Sequence, residues 1–95
     1  MPAYAIFIRE STRDPKELET YSKVAPATLA GHPVTARVVY GKYEVLEGPA
    51  IEGAVVLEFP TLEAAKAWYD SPAYREAREH RFKGANYRAF IIQGV

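Results

Sequence analysis

Four short runs of strand-forming residues and two helical stripes follow one another in the order strand, helix, strand, strand, helix, strand, and this order leaves few topologies open. The first run, Tyr4-Ala5-Ile6-Phe7-Ile8-Arg9, is β-branched and aromatic. Arg37 to Tyr40 reads as the second strand. Ala54-Val55-Val56-Leu57-Glu58-Phe59 is the clearest of the four, ended by Pro60, and Tyr87 to Ile92 is the last. Between Gly41 and Gly48-Pro49 lies Tyr43-Glu44-Val45-Leu46, expected to continue the second strand or to form a bulge.

The helices announce themselves by their ends. Asp14-Pro15-Lys16-Glu17 places a capping carboxylate before a proline suited to the first helical position, with Glu17 where a capping box would want it. Leu18, Tyr21, Ala25 and Leu29 then recur at helical steps. Pro26 interrupts this stripe by removing a backbone donor, and Gly31-His32-Pro33 stops it. In the second helix Thr61 is the cap and Leu62, Ala65 and Trp68 or Tyr69 form the stripe. Ser71-Pro72 restarts the helix, with Tyr74, Ala77 and Arg81 on one side, and Gly84 ends it. Two right-handed strand–helix–strand units interlocked in this way predict an α+β fold of the ferredoxin-like βαββαβ type. Its four strands form one antiparallel sheet with both helices on one face.

Two helices cover one sheet face only, and a half-solvated sheet should be polar on the other. Here both faces are apolar. Ile6 and Ile8 oppose Ala5 and Phe7, Val55, Leu57 and Phe59 oppose Ala54, Val56 and Glu58, and Tyr87, Ala89 and Ile91 oppose Arg88, Phe90 and Ile92. Large apolar patches are rare on monomers, so a second copy is expected to cover the helix-free face, giving a homodimeric α/β barrel. The competing arrangement is a monomer whose loop 41–53 folds over that face.

A chain of 95 residues fits one domain, expected to span 1–95. So small a domain buries only about 60–65% of its unfolded surface, which a partner subunit would augment. Lys+Arg and Asp+Glu number 12 each. This neutrality argues against nucleic acid or an anionic membrane as partner, both of which select a basic surplus. Cysteine is absent, which removes disulfides, thiolate-held metals and a thiol nucleophile. No secretory signal or membrane-spanning run is seen, and a cytoplasmic location is expected.

Glu47-Gly48, Val55-Val56-Leu57-Glu58-Phe59-Pro60-Thr61, Ala64-Ala65-Lys66-Ala67-Trp68-Tyr69-Asp70-Ser71-Pro72-Ala73-Tyr74 and Arg81 together resemble the family named domain of unknown function 1330. The likeness runs from about Tyr4 to Val95 and is most specific from Phe59 to Tyr74. It implies the dimeric α/β-barrel fold and brings no settled activity. Members usually carry Arg-Gly at the end of the second strand, where this chain has Tyr40-Gly41. If that arginine binds an anion in relatives, the resemblance implies an altered site here.

Five residues stand out as ligand-binding candidates: Tyr40, Glu58, Trp68, His80 and Arg81. Tyr40, with Tyr43, sits near glycine bends where a cavity mouth would lie. Glu58, if it faced a barrel lumen, would have a raised pKa and could move protons; its plainer role is an ion pair with Arg9 or Arg88. Of the adjacent Trp68 and Tyr69, one should enter the core and the other reach a cleft or the dimer rim. His80 has the pKa range of a general base and the chemistry of a haem ligand; its plainer role is a helix-surface partner of Glu76. Arg81 would clamp a carboxylate or else pair with an acidic residue near the helix end.

No phosphate-binding loop, nucleophile elbow or metal-ligand spacing is present, and neither cofactor nor metal is expected. The reading is a homodimer that binds a small, partly apolar or anionic molecule between sheet and helices. Two alternatives compete with it. One is a non-enzymatic structural or accessory dimer. The other, by analogy of fold, is a cofactor-free monooxygenase or isomerase, or a haem-degrading enzyme using Trp68 and His80.

Overall fold

The computed structural model describes residues 1–95, and its elements run β1 (Ala3–Thr12), α1 (Pro15–Val24), β2 (Thr35–Val39), β3 (Gly53–Phe59), α2 (Leu62–Tyr69), α3 (Pro72–Gly84) and β4 (Ala85–Gln93). The strands form one antiparallel sheet in the order β2-β3-β1-β4. With the helices on one face this is the ferredoxin-like arrangement expected from the order of elements.

Local chemistry sets the helix ends. The Asp14 carboxylate accepts from the Lys16 amide at 3.0 Å, Thr61 Oγ1 from the Ala64 amide at 3.0 Å and Ser71 Oγ from the Tyr74 amide at 3.3 Å. Pro15 and Pro72 occupy first-turn positions, where the missing amide costs nothing. Pro26 acts as expected: α1 stops before it and the chain tightens into a 3-10 turn over Pro26–Leu29. Glu17 does not close a capping box. Its carboxylate is taken by His80 of α3, 2.6 Å away.

The second strand does not continue through Tyr43 to Leu46. Tyr40 adopts φ +51, a left-handed conformation unusual for a bulky residue, and Gly48 follows at φ +92. These turn the chain out of the sheet, and residues 40–52 form no strand. The irregularity falls instead within β2, where the register shifts between Ala36 and Val38 and bulges Arg37 outward.

The core lies between sheet and helices. Phe7 pairs in register with Val55 on one side and Ala89 on the other, which sets one helix-facing row across three strands. Ala5, Phe7, Leu57, Phe59, Ala65, Trp68, Tyr74 and Ala77 form its buried cluster. Its centre is aromatic: the Trp68 ring lies 4.1 Å from that of Tyr74, 5.8 Å from Phe59 and 6.0 Å from Phe7. Trp68 is the core member of its pair. Tyr69 is half-buried under the Arg78 guanidinium, 4.5 Å from its ring centre. The opposite face carries Ile6, Val56 and Phe90 in one register row. It stays uncovered by loop 41–52, since Phe90 is 45% and Ile92 50% exposed.

Candidate functional site

Above the helix-facing side of the sheet, beside the aromatic core, lies a cavity of about 410 Å3. Its floor is Phe7, Val55, Leu57 and Tyr87; its roof is Leu18, Tyr21, Ala25 and Leu29, the stripe of α1 and the turn after it. Val39, Tyr40 and Trp68 form its sides. None of the residues of α1 is fully buried, because the face that would enter a core faces this space instead.

The polar groups gather in two places. Tyr40 and Tyr87 come from the ends of β2 and β4 and reach toward one another over the sheet, and their hydroxyls are hydrogen-bonded. Tyr40 can cross there because Gly53 beneath it has no side chain: a Cβ would lie 2.6 Å from Tyr40 Cδ1. Arg9 places its guanidinium carbon 4.9 Å from the Tyr40 ring centre and its Nε 3.4 Å from Glu52 Oε1. Deeper, the hydroxyls of Tyr21 and Tyr74 lie 2.7 Å apart. Burial pushes the Tyr21 and Tyr40 hydroxyls well above the usual phenol range and raises that of Tyr74 against the lowering effect of Arg81. All three are therefore neutral at ordinary pH, and within each hydroxyl pair one member donates and the other accepts. No carboxylate lines the cavity.

Against that geometry the singled-out residues divide. Tyr40 and Trp68 line the cavity. Trp68 Nε1 donates to Thr28 Oγ1 at 3.1 Å, which turns the indole edge toward the 3-10 turn. Arg81 is buried beside the cavity, its guanidinium carbon 5.3 Å from the Phe7 ring centre and 5.1 Å from that of Tyr87. Glu58 is elsewhere. Strand alternation sends it to the helix-free face, where it accepts from Arg37 Nε at 2.9 Å. Its partner is neither Arg9, which turns to the other face and meets Glu52, nor Arg88; the bulge at Arg37 brings that side chain within reach. His80 also lies apart, in a groove between the helices with Val24, Ala27 and Ala73. Its partner is Glu17 of α1 and not Glu76, so Trp68 and His80 do not meet in one site. Tyr43 bonds the Ile51 carbonyl at 2.8 Å within the loop. Tyr21, Tyr87 and Arg9 are the site residues that sequence reasoning passed over. Tyr21 was hidden in an apolar stripe, where a phenol among aliphatics is the signal of a polar group facing a cavity. No group of three or more His, Asp or Glu side chains is gathered to hold a metal ion, and no helix is long and apolar enough to cross a membrane.

A family model described as Domain of unknown function (DUF1330) matches residues 2–95. The chain belongs to the DUF1330 family. No curated protein matches it in sequence. Among solved structures this DUF1330 chain is similar to a protein of unknown function from Rhodopseudomonas palustris, with a TM-score of 0.72, 19% identity and coverage of 99% of this chain and 82% of that one. It is similar to a dimeric ferredoxin-like protein of unknown function from Bacteroides fragilis, with a TM-score of 0.69, 14% identity and coverage of 98% and 96%. It is also similar to SnoaB, a cofactor-independent oxygenase from Streptomyces nogalater, with a TM-score of 0.65, 10% identity and coverage of 99% and 93%. At these identities the likeness establishes the fold alone.

Proposed function

We propose that this DUF1330 protein is a homodimeric α/β barrel whose protomers each bind a small, largely apolar molecule between sheet and helices. The cavity carries the binding half of the reading. The space opens to solvent beside Val39 and Tyr40, so it is a cleft that a ligand could enter and not a sealed packing void. A space of about 410 Å3 lined by aromatic and aliphatic groups, with hydroxyls converging at one end, has the size and character of a ligand site. A purely structural or accessory dimer would be expected to fill that space with side chains. The exposed Phe90 and Ile92, in a face of mostly apolar residues, support the dimer half. The dimeric ferredoxin-like protein from Bacteroides fragilis supports it too.

Native mass spectrometry of the purified protein, gently desolvated, tests both halves. The expected spectrum shows twice the 10.6 kDa chain mass plus a discrete small-molecule adduct. A monomer at micromolar concentration overturns the dimer. Absence of an adduct, together with unchanged Trp68 fluorescence across a panel of aromatic compounds, overturns the binding site.

A further inference from the structure

Arg81 is 3% exposed, yet its Nη2 makes a long 3.5 Å contact with the Tyr69 hydroxyl, its other polar neighbour is the Tyr74 hydroxyl, and its Nε has no hydrogen-bond acceptor. It takes part in none of the ion pairs, which join Arg9 to Glu52, Lys23 to Glu19, Arg37 to Glu58, Arg78 to Asp70 and His80 to Glu17. Instead it is packed among rings, with Phe7, Phe82 and Tyr87 centres all within 5.3 Å of its guanidinium carbon. A cation taken out of water is costly unless a counter-charge and hydrogen bonds replace its hydration. Ring faces replace only part of it.

A milder version of this recurs on the cavity side of Tyr87, where Arg9 has a counter-charge in Glu52, with Oε1 3.4 Å away, and lacks only a hydrogen bond at Nε. Tyr40 and Tyr87 share one hydroxyl-to-hydroxyl bond, so one of the two protons is free to be donated. No carboxylate lines this end of the cavity; Glu52, the ion-pair partner of Arg9, sits outside the lining, and the hydroxyls of Tyr40 and Tyr87 can each donate or accept.

We propose that the ligand supplies the missing charge: a planar aromatic or conjugated monoanion such as a carboxylate or enolate. Its body lies among Leu18, Leu29, Val55 and Leu57, and its charged oxygen at the end formed by Arg9, Tyr40 and Tyr87. Arg81 stands behind the Tyr87 ring as a positioning charge. It favours the anion through the low-dielectric core and strengthens the Tyr87 hydroxyl as donor. This rests on the cavity reading above and names the chemistry of its ligand.

Isothermal titration with 2-naphthoate and its neutral isostere 2-acetonaphthone tests the idea in the wild-type protein, in Arg81→Met and in Arg81→Lys. Naphthoate should bind at least tenfold more tightly than the ketone to wild type. Arg81→Met should cut that preference at least threefold, Arg9 still standing beside the charged oxygen, while leaving ketone affinity within threefold, and Arg81→Lys should keep most of it. Because it removes an unpaired buried charge, Arg81→Met should also melt at or above the wild-type temperature in the absence of ligand. Equal affinities for the two probes in wild type overturn the anion assignment and leave the cavity standing. Preference cut by less than threefold in Arg81→Met overturns the role of Arg81. Binding of neither probe overturns the cavity reading and the assignment with it. If Arg81→Met fails to fold, Arg81→Gln removes the charge while keeping a donor toward Tyr69 and makes the same comparison.

Discussion

Alanine at Gly53 meets two obstacles at once. The residue has φ +155, where a side chain is disfavoured, and a Cβ there lies 2.6 Å from Tyr40 Cδ1 and 3.2 Å from Cε1. The backbone part costs about 1–2 kcal/mol. To restore ordinary carbon–carbon separation the ring must retreat by about 1 Å. It is not free to do so, being tied by its hydroxyl to Tyr87 and covered by Arg9. Losing the hydrogen bond costs about 1 kcal/mol and the stacking about 0.5–1 kcal/mol. The reduced freedom of the unfolded chain returns about 0.4–1 kcal/mol. The net loss is about 2–3 kcal/mol, which lowers Tm by about 10–20 °C in a chain of this size. Circular-dichroism melts of Gly53→Ala in the wild-type and Tyr40→Ala backgrounds separate the parts. With Tyr40 truncated, only the backbone cost of about 1 kcal/mol should remain, a coupling of about 1–2 kcal/mol. Equal costs in both backgrounds would refute the claim that Gly53 exists to seat the Tyr40 ring.

Trp68→Phe removes the donor to Thr28 and the outer edge of a fully packed ring, and should destabilise by about 2–3 kcal/mol in urea unfolding. A loss below about 0.5 kcal/mol would mean the indole is not held as described. The raised phenol pKa values of Tyr21 and Tyr74 make folding stability fully present below the ordinary phenol pKa near 10 and progressively lost above it. The loss is about 1.4 kcal/mol per pH unit for each. Absorbance at 295 nm should show these tyrosines ionising only as the protein unfolds; ionisation of all seven in the folded state near pH 10 contradicts their burial. Phe90→Asp places a charge in the helix-free face and should shift the sedimentation mass from twice 10.6 kDa to the chain mass, with unchanged circular dichroism. A dimer that survives it is built on another surface.

What the sequence disclosed followed the range of the interactions involved. Asp14, Pro15, Thr61, Ser71 and Pro72 act within one helical turn, so their roles could be read directly. The order of elements did the same for the ferredoxin-like sheet. Failures arose where a distant group competed. Glu17 had a local role waiting at the cap, but His80, brought alongside by α3, took its carboxylate. Glu58 shares a face with Val56 by alternation, yet with apolar residues on both faces nothing local says which face meets the helices. The bulge that delivers Arg37 is a property of strand pairing, not of composition. Of the site, Tyr40 was marked by its neighbouring glycine and Trp68 by its size. The Tyr40–Tyr87 and Tyr21–Tyr74 pairs join residues far apart in the chain and became visible only in three dimensions.

The absence of any fully buried residue in α1 has a dynamic consequence. This helix is held along α3, through the His80–Glu17 pair, the Tyr21–Tyr74 hydroxyls, Leu18 against Gly84 and the Arg13 and Asp14 amides on the Gly84 carbonyl, and not by the sheet. It can lift without breaking the aromatic core below, so its amides should exchange with deuterium by local opening well ahead of those in β1 and β3. That opening is also a door into the cavity. An occupant would give α1 the packed underside it lacks, so the helix most readily exchanged in the empty protein should gain the most protection when the cavity fills.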